Sequence, residues 1–396
     1  MKSSGRLINK FFVFFFFSLA ALPLIAYDSV PSNIRIRLLT AAKTDIVFFT
    51  PLTEKYFLEV YPGYKKELKK GESVIITLYN NRLAVKTSDM KALLADSVFF
   101  TAVSDDNLFI LFSSGNKNME SKYSGSCLCY PYIDEVMLIN DCNIEEYIAG
   151  VVRAEGGAKK NEEYFKTQAV IARTYTFRYL DKHNADGYNL CDDTHCQVFH
   201  GITSDTLIRN AVKRTEGLVI VTPDSSLIIS AFHSNCGGET APSEYVWLMP
   251  VPYLANVKDP YCTGSKNAIW EKKVSIEDWI KVLSSSGYIG NSTNPQEFVF
   301  NQSSRMMNYT AGTFIIPLNA IRTALGLRSA WFSVFAAGDS LLLKGRGYGH
   351  GVGLCQEGAM VMADKGIGYE KIIQFYYPGV KILNIDYAKK PEEKKN

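Results

Sequence analysis

"YIAGVVRAEGG", residues 147–157, is the stretch from which the rest of the chain is read. Asn143 stands just upstream, followed three positions later by Glu146, the spacing of a capping box. Ile144, Tyr147, Ile148, Val151 and Val152 then recur at i, i+3, i+4, i+7 and i+8, one face of a helix. About eleven residues make three turns, so Glu155 falls nearly in line with Ile144, at the end of the apolar stripe. Gly156-Gly157 stops the helix. A carboxyl on an apolar face loses hydration, and a helix C-terminus adds partial negative charge. Both raise its pKa above the ~4.3 of a free glutamate. A carboxylic acid still protonated near neutral pH is what general-acid chemistry needs. The competing reading is plainer: Glu155 caps its helix and pairs with Lys159 or Lys160. Arg153 and Lys160 are also placed to hold an anionic substrate.

Working outward, a second helix is predicted from Asn161, with Glu162 and Glu163 at its positive end. It runs through "YFKTQAVIARTYTFRYL", where Phe165, Ala169, Ala172 and Thr176 form a narrow ridge suited to close packing. Upstream, "NIRIRLLT" (33–40), "SVIITLY" (73–79), "RLAVKT" (82–87), "SVFFTAV" and "NLFILFS" predict a β-rich region over 27–130, with Asn80-Asn81 as a hairpin turn. Downstream, "LVIVT", "LIISAFH" (227–233) and "SLLLKG" (340–345) read as strands. "CQEGAMVMADKG" and "YEKIIQFYYPG" read as short helices. The class expected is α+β, a β-rich frame around a small helical core that carries Glu155. Residues 386–396 read as a charged disordered tail, and 262–340, with Trp270 and Trp331, carries no motif.

A hydrophobic content of 47% with 21% charged residues over 396 positions describes a globular chain. The net charge of +3 comes from Lys2, Arg6 and Lys10, and the remaining 40 basic and 40 acidic side chains balance. No basic field exists to attract nucleic acid. The three early cations precede "FFVFFFFSLAALPLIA", Phe11 to Ala26, so residues 1–26 are expected to be a signal peptide or an N-terminal membrane anchor. The chain is then exported, to the periplasm or the outer face of the inner membrane, and touches the membrane only through that segment.

Eight cysteines in an exported protein suggest disulfides by default. The spacing of "CDDTHCQVFH" suggests something else. Cys191, His195 and Cys196 lie within six residues, with His183 eight positions upstream. Two sulfurs and two imidazoles are a standard tetrahedral zinc set, closed and therefore structural. A Cys191–Cys196 disulfide is the alternative. In "HSNCGGET", residues 233–240, the Gly-Gly pair lets backbone approach a ligand closely. Cys236 beside His233 is either a nucleophile or a partner of Cys262. "GRGYGHGVGLCQEGA", residues 345–359, lacks the βαβ context and the Lys-Ser or Lys-Thr of a phosphate loop. His350 and Gln356 there suit the hydrogen bonding of a sugar groove, or simply mark a tight turn.

In this order, "YIAGVVRAE", "KTQAVIARTYTF", "CDDTHCQVF", "HSNCGGET", "VPYLANV", "GRGYGHGVGLCQEGAM" and "IIQFYYPGV" resemble the stage II sporulation protein D (SpoIID/LytB) family over about 141–380, with a weaker start at "IRIRLLT". The resemblance implies a catalytic domain over 131–385 and a peptidoglycan lytic transglycosylase acting on glycan strands stripped of their stem peptides. In that chemistry one glutamate serves as acid and then base. The sugar's own 6-hydroxyl attacks and leaves a 1,6-anhydro-muramic end, with no need for the second carboxylate of an ordinary glycosidase. Glu155 matches the catalytic position. Arg153 and Lys160 match cationic positions, where they would recognise the lactyl carboxylate that stripping exposes. His233, Ser234, Tyr253, His350 and Gln356 match groove-lining positions. His183, Cys191, His195 and Cys196 match the zinc-bearing branch of the family. The implied partners are peptidoglycan strands and a cell-wall amidase acting upstream, in division or a sporulation-like process. The sequence departs from the pattern at Cys236 and Cys355, where small residues are usual, and at Gly156-Gly157, where Met-Pro is common. Two other readings stand beside this one: a non-catalytic enhancer of an N-acetylmuramoyl-L-alanine amidase, and a cysteine peptidase built on Cys236.

Overall fold

The computed structural model describes residues 30–41, 43–89, 91–113, 121–157 and 161–390. The apolar segment 11–26, Lys160 and the end of the tail, 391–396, lie outside them.

Alternating apolar residues fix the N-terminal half as two facing sheets. A seven-stranded sheet runs in the order Leu190–Cys191, Asn33–Leu38, Glu135–Asn143, Ser126–Tyr132, Ser97–Ala102, Tyr56–Tyr61, Tyr64–Leu68. A six-stranded sheet runs Ser121–Ser124, Leu108–Ser113, Ile46–Pro51, Val74–Tyr79, Arg82–Lys86, Leu93–Ala95. Ile34, Ile36 and Leu38 point inward from the first, and Val47, Phe49, Val74 and Ile76 from the second, by the two-residue period of a strand. Phe49 stacks on Phe100 of the opposite sheet at 3.7 Å between ring centroids, so the seam is closed by aromatic rings. Asn80 and Asn81, at φ of 49° and 59°, make the left-handed hairpin turn that their identity predicts. The β-rich region continues past residue 130, through the strand Glu135–Asn143.

That strand runs directly into helix α1 (Ile144–Glu155). The Asn143 side chain accepts the backbone N–H groups of Glu145 (2.9 Å) and Glu146 (3.3 Å), which starts the helix. Glu146 does not return to Asn143 as a capping box would. Its carboxylate instead takes both arms of Arg209, each at 2.7 Å. Helix α2 (Glu162–Arg178) is capped by Asn161, and Phe165, Ala169, Ala172 and Thr176 are all buried along its ridge. Helix α3 (Thr206–Arg214) carries Arg209. Arg173, fully buried on α2, binds Glu145 of α1 at 2.8 and 2.5 Å and the carbonyls of Leu218 and Val212 at 3.1 and 3.4 Å. One guanidinium therefore joins all three helices to the strand Leu218–Val221.

The fold is α+β, as expected. One apolar core extends from the sandwich through the helices to Ala388. A second core, from Trp270 to Leu343, belongs to the stretch that carried no motif. It is built on the sheet Ile269–Ser275, Ser340–Arg346, Phe332–Ala337 and two helices, Ile276–Ser284 and Leu318–Leu325. Two expectations are corrected. The run 227–233 is not one strand, since only Phe232–His233 pairs in a sheet, parallel to Leu354–Cys355. Residues 386–390 are not a loose tail: Ala388 is buried, and Lys389 exchanges backbone bonds with Leu227 (3.0 Å) and Ser225 (2.7 Å). Among the described residues no helix is long and apolar enough to cross a membrane.

Candidate functional site

Glu155 is the last residue of α1, after buried Val151 and Val152, with Gly157 at φ +73° turning the chain away. One carboxylate oxygen accepts the Val198 backbone N–H at 2.8 Å. Its carbonyl oxygen accepts Nε2 of Gln356 at 2.9 Å. Burial raises the Glu155 pKa, and the Val198 N–H partly opposes the rise. Among the described residues no lysine or arginine forms an ion pair with it, and Arg153 stands exposed at the same helix end. On α2, the Tyr164 hydroxyl and Gln168 Nε2 are buried with no hydrogen-bond partner among the described residues. The Tyr164 phenol is pushed up by burial, then by the charges of Cys355 and Glu155. Tyr164 and the Val198 peptide were not legible as site groups: one reads as an apolar helix position, and a backbone N–H has no sequence signature.

The groove residues converge through paired backbone. His233 sits opposite Cys355 in the short parallel pair, and the Ser234 carbonyl accepts Glu357 N–H at 3.0 Å. Ser234 therefore lies beside Gln356, which reaches Glu155. The His233 ring donates from Nδ1 to the Val352 carbonyl (3.1 Å), leaving Nε2 buried and unpartnered as an acceptor. His350 accepts Val352 N–H at Nδ1 (3.0 Å), and its ring lies 5.6 Å from that of His233. Burial holds the His233 pKa well below the ordinary histidine range, and burial pushes His350 down to about 4. Both imidazoles are neutral hydrogen-bonding groups at neutral pH. The close approach requires Gly349, at φ +110°, where a Cβ would stand 2.8 Å from the His233 Cβ. Tyr253 is turned to other work: its hydroxyl accepts Ile229 N–H at 3.0 Å, next to Arg178 and Tyr179.

The donor atoms of His183, Cys191, His195 and Cys196 lie within 4.8 Å of one another. Cys191 Sγ and Cys196 Sγ are each 3.6 Å from His195 Nδ1, and Cys196 Sγ is 3.5 Å from His183 Nε2. A tetrahedron with Zn–S of ~2.3 Å and Zn–N of ~2.1 Å has S···N edges of about 3.6 Å. The four residues therefore fit a tetrahedral metal. The surroundings fit as well: Asp186 lies 3.5 Å from His183 Nδ1, on the far side of the ring, and Asp193 accepts His195 N–H at 2.7 Å. All eight cysteines are free, which corrects the disulfide expectation for Cys191–Cys196 and for Cys236–Cys262. Asp192 fixes the same loop to the sandwich by accepting Thr40 N–H at 3.1 Å. The loop then passes through buried Gln197, bonded to the Thr176 hydroxyl at 3.0 Å, to Val198. The four-donor cluster thus anchors the segment that presents a peptide N–H to Glu155. The nucleophile reading of Cys236 is corrected too. Its sulfur is fully buried, 3.2 Å from Asp259 and 3.3 Å from Cys262, and the His233 ring is bonded elsewhere.

Comparison with known proteins agrees with this layout. The sequence model of the family described as Stage II sporulation protein (SpoIID) matches residues 132–221, from the strand before α1 to the strand behind α3. The chain is 29% identical over 359 residues to an uncharacterized protein of Brachyspira hyodysenteriae, covering 88% of this chain and 95% of that one. It is 30% identical over 271 residues to stage II sporulation protein D of Bacillus amyloliquefaciens, covering 63% of this chain and 76% of that one. It is 27% identical over 290 residues to the amidase enhancer of Bacillus subtilis, covering 60% of this chain and 40% of that one.

Proposed function

The chain belongs to the stage II sporulation protein D family, and from that premise we propose that it is a peptidoglycan lytic transglycosylase that cleaves peptide-stripped glycan strands. The observation that carries the proposal is Glu155: a half-buried carboxyl held by one peptide N–H, with its pKa raised by burial. Protonated, it gives its proton to the glycosidic oxygen as the C1–O bond breaks. The resulting carboxylate, steadied by Val198 N–H, takes the proton from the 6-hydroxyl as that oxygen bonds to C1. The net change is a broken glycosidic bond and a 1,6-anhydro ring, and Glu155 ends as it began. The amide of Gln356, partly exposed beside Glu155, supplies hydrogen bonding of the kind that sugar hydroxyls need, and the buried His233 and Tyr164 back the segments that present it. Arg153 and Lys160 are proposed to meet the lactyl carboxylate.

His183, Cys191, His195 and Cys196 would hold zinc, which supplies no chemistry of its own in a closed four-ligand site and instead organises the loop. The reading puts the chain outside the cytoplasmic membrane, where its substrate lies, delivered or anchored by residues 1–26. The relative named amidase enhancer supports a link to wall amidases. The test is to incubate protein lacking residues 1–26 with amidase-stripped strands and identify products by mass spectrometry. Anhydro-muramic ends support the transglycosylase. No cleavage, together with faster peptide release when an amidase is present, supports an activator in its place.

A further inference from the structure

Away from the Glu155 carboxylate, four buried donors meet at one point. The thiols of Cys236, Cys262 and Cys355 and the carboxyl of Asp259 lie within 4.8 Å of one another, and all four residues are 0% exposed. They come from three segments. Cys236 follows the strand Phe232–His233. Asp259 and Cys262 stand in the turn that leads to the Trp270–Leu343 core. Cys355 ends the strand Leu354–Cys355 and caps the Gln356–Asp364 helix. We propose that these four residues form a second metal site, a three-thiolate, one-carboxylate set for zinc that shares no ligand with the histidine-containing cluster.

The chemistry of the set favours a cation. A fully buried carboxyl with no ion pair among the described residues is costly as an anion unless a positive charge meets it. Asp259 has only hydrogen bonds: Tyr261 N–H at 2.8 Å, the Tyr376 hydroxyl at 2.9 Å and the Cys236 thiol at 3.2 Å. Cys355 Sγ accepts two peptide N–H groups, from Cys236 at 3.3 Å and Gly358 at 3.4 Å, the arrangement that steadies a metal-bound thiolate. Arg305 donates to the Cys236 carbonyl at 2.7 Å and brings a positive charge to the edge of the set. Three thiolates and a carboxylate around a dication leave a net double negative charge, which Arg305 partly offsets.

The geometry is close to what zinc needs. A tetrahedral site has S···S edges of about 3.8 Å and S···O edges of about 3.6 Å. The Cys236–Cys262 and Cys236–Asp259 contacts, 3.3 and 3.2 Å, open to those values with shifts of roughly 0.4–0.5 Å. A disulfide is the poorer account. It would need the sulfurs at ~2.05 Å, and it would use two of three converging thiols while leaving the carboxyl without a counter-charge. Metal is held by thiolates, so zinc binding here releases protons and tightens as pH rises. With four protein ligands the site is structural. It rivets the His233–Ser234 segment to the start of the helix whose Gln356 holds Glu155.

The test is metal stoichiometry of the full-length chain, purified without chelator after expression with zinc supplied. Two zinc ions per chain are expected by elemental mass spectrometry. Cys355→Ser and Asp259→Asn should each remove one, Cys191→Ser should remove the other, and the Cys191→Ser/Cys355→Ser pair should remove both. Cobalt replacement should give stronger thiolate-to-metal absorption in Cys191→Ser, which keeps the three-thiolate site, than in Cys355→Ser. If those variants do not fold, the wild type decides: two zinc ions per chain together with eight reactive thiols after unfolding in chelator support the proposal, and one zinc or fewer overturns it. Zinc content unchanged in Asp259→Asn and Cys355→Ser, a single zinc that Cys191→Ser abolishes, or a disulfide joining any two of Cys236, Cys262 and Cys355 would overturn the proposal.

Discussion

Glu155→Gln separates the chemical role of this side chain from its structural one, because the substitution keeps the shape and the acceptor oxygen. The amide oxygen of that variant can still take the Val198 N–H, which lies 2.8 Å from the native carboxylate. If the native side chain is protonated, that bond is neutral in both proteins and little stability changes hands. A charge-assisted bond contributes ~1.5–3 kcal/mol and a neutral one ~0.5–1.5. Even a fully ionised Glu155 would therefore lose only about 1 kcal/mol of bonding, against relief of the burial penalty on the anion. The expected shift in Tm is within about 3 °C. Activity behaves differently. General acid–base catalysis contributes ~10²–10⁴, and a residue acting as both acid and base is expected near the upper end, about 5.5 kcal/mol. Among the described residues the carboxylates of the adjoining segments have partners of their own. Asp192 and Asp193 are bonded to Thr40 and His195, and Glu357 to Asn235 and Asn267. Release of anhydro-muramic products from stripped strands, followed by chromatography beside a melting curve, reads both quantities. Activity within about tenfold of wild type would refute the assignment. So would a loss of more than about 5 °C in Tm, which would make Glu155 a structural cap. The pH dependence has a definite sign. The native pKa is raised, so the folded state binds the extra proton, and wild-type stability from this group falls as pH rises from ~4.3 through the native value. Glu155→Gln should flatten that slope.

Other outcomes follow from the same contacts. Stripping the zinc proposed at His183, Cys191, His195 and Cys196 with a strong chelator, or losing it in Cys191→Ser, should release the 191–198 loop, lower Tm by more than about 5 °C and reduce turnover, because Val198 no longer meets Glu155. A chelated protein with unchanged activity would separate the two. Arg173→Leu strands Glu145 and should cost ~3–5 kcal/mol in urea unfolding. Glu145→Gln in the same chain should recover part of that in a double-mutant cycle, and strict additivity would contradict a direct pair. Gly349→Ala should cost ~1–3 kcal/mol and displace His233, detected as a shifted imidazole resonance. Wild-type stability would show that the loop adjusts freely.

The helical core was legible because its signals are local. The stripe from Ile144 to Val152, the Asn143 and Asn161 caps and the Gly156-Gly157 stop each follow from a few adjacent residues. The Cys191–His195–Cys196 spacing likewise announced a donor cluster within one loop. Contacts that join distant segments were not legible. Nothing local in "KTQAVIARTYTF" says that Arg173 is buried and forked to Glu145. Cys262 was readable as a neighbour of Cys236, but nothing in "DPYC" says that Asp259 and Cys355 will join them. Tyr253 sits in a readable motif, but the peptide N–H of Ile229 that its hydroxyl accepts is not announced by that motif. The second core was legible only in part: "SLLLKG" reads as a strand, and its burial alternates as a strand's should. What gathers it with Trp279, Tyr309 and Phe298 into one cluster is contact between distant segments, which no local run announces.

The way that second core is attached has a consequence for the history of the chain. Its two ends leave the main body side by side, with Gly347 N–H bonded to the Ala268 carbonyl at 3.0 Å. A segment that starts and finishes at adjacent points closes a loop whose entropic cost hardly depends on its length. Such a graft can grow, shrink or be exchanged without re-threading its host. Arg305 then acts as a latch, reaching from the graft to the Cys236 and Glu239 carbonyls. Such a graft could vary in size between Ala268 and Gly347 while keeping the same joint, and a short linker from Ala268 to Gly347 would mark where the insertion began.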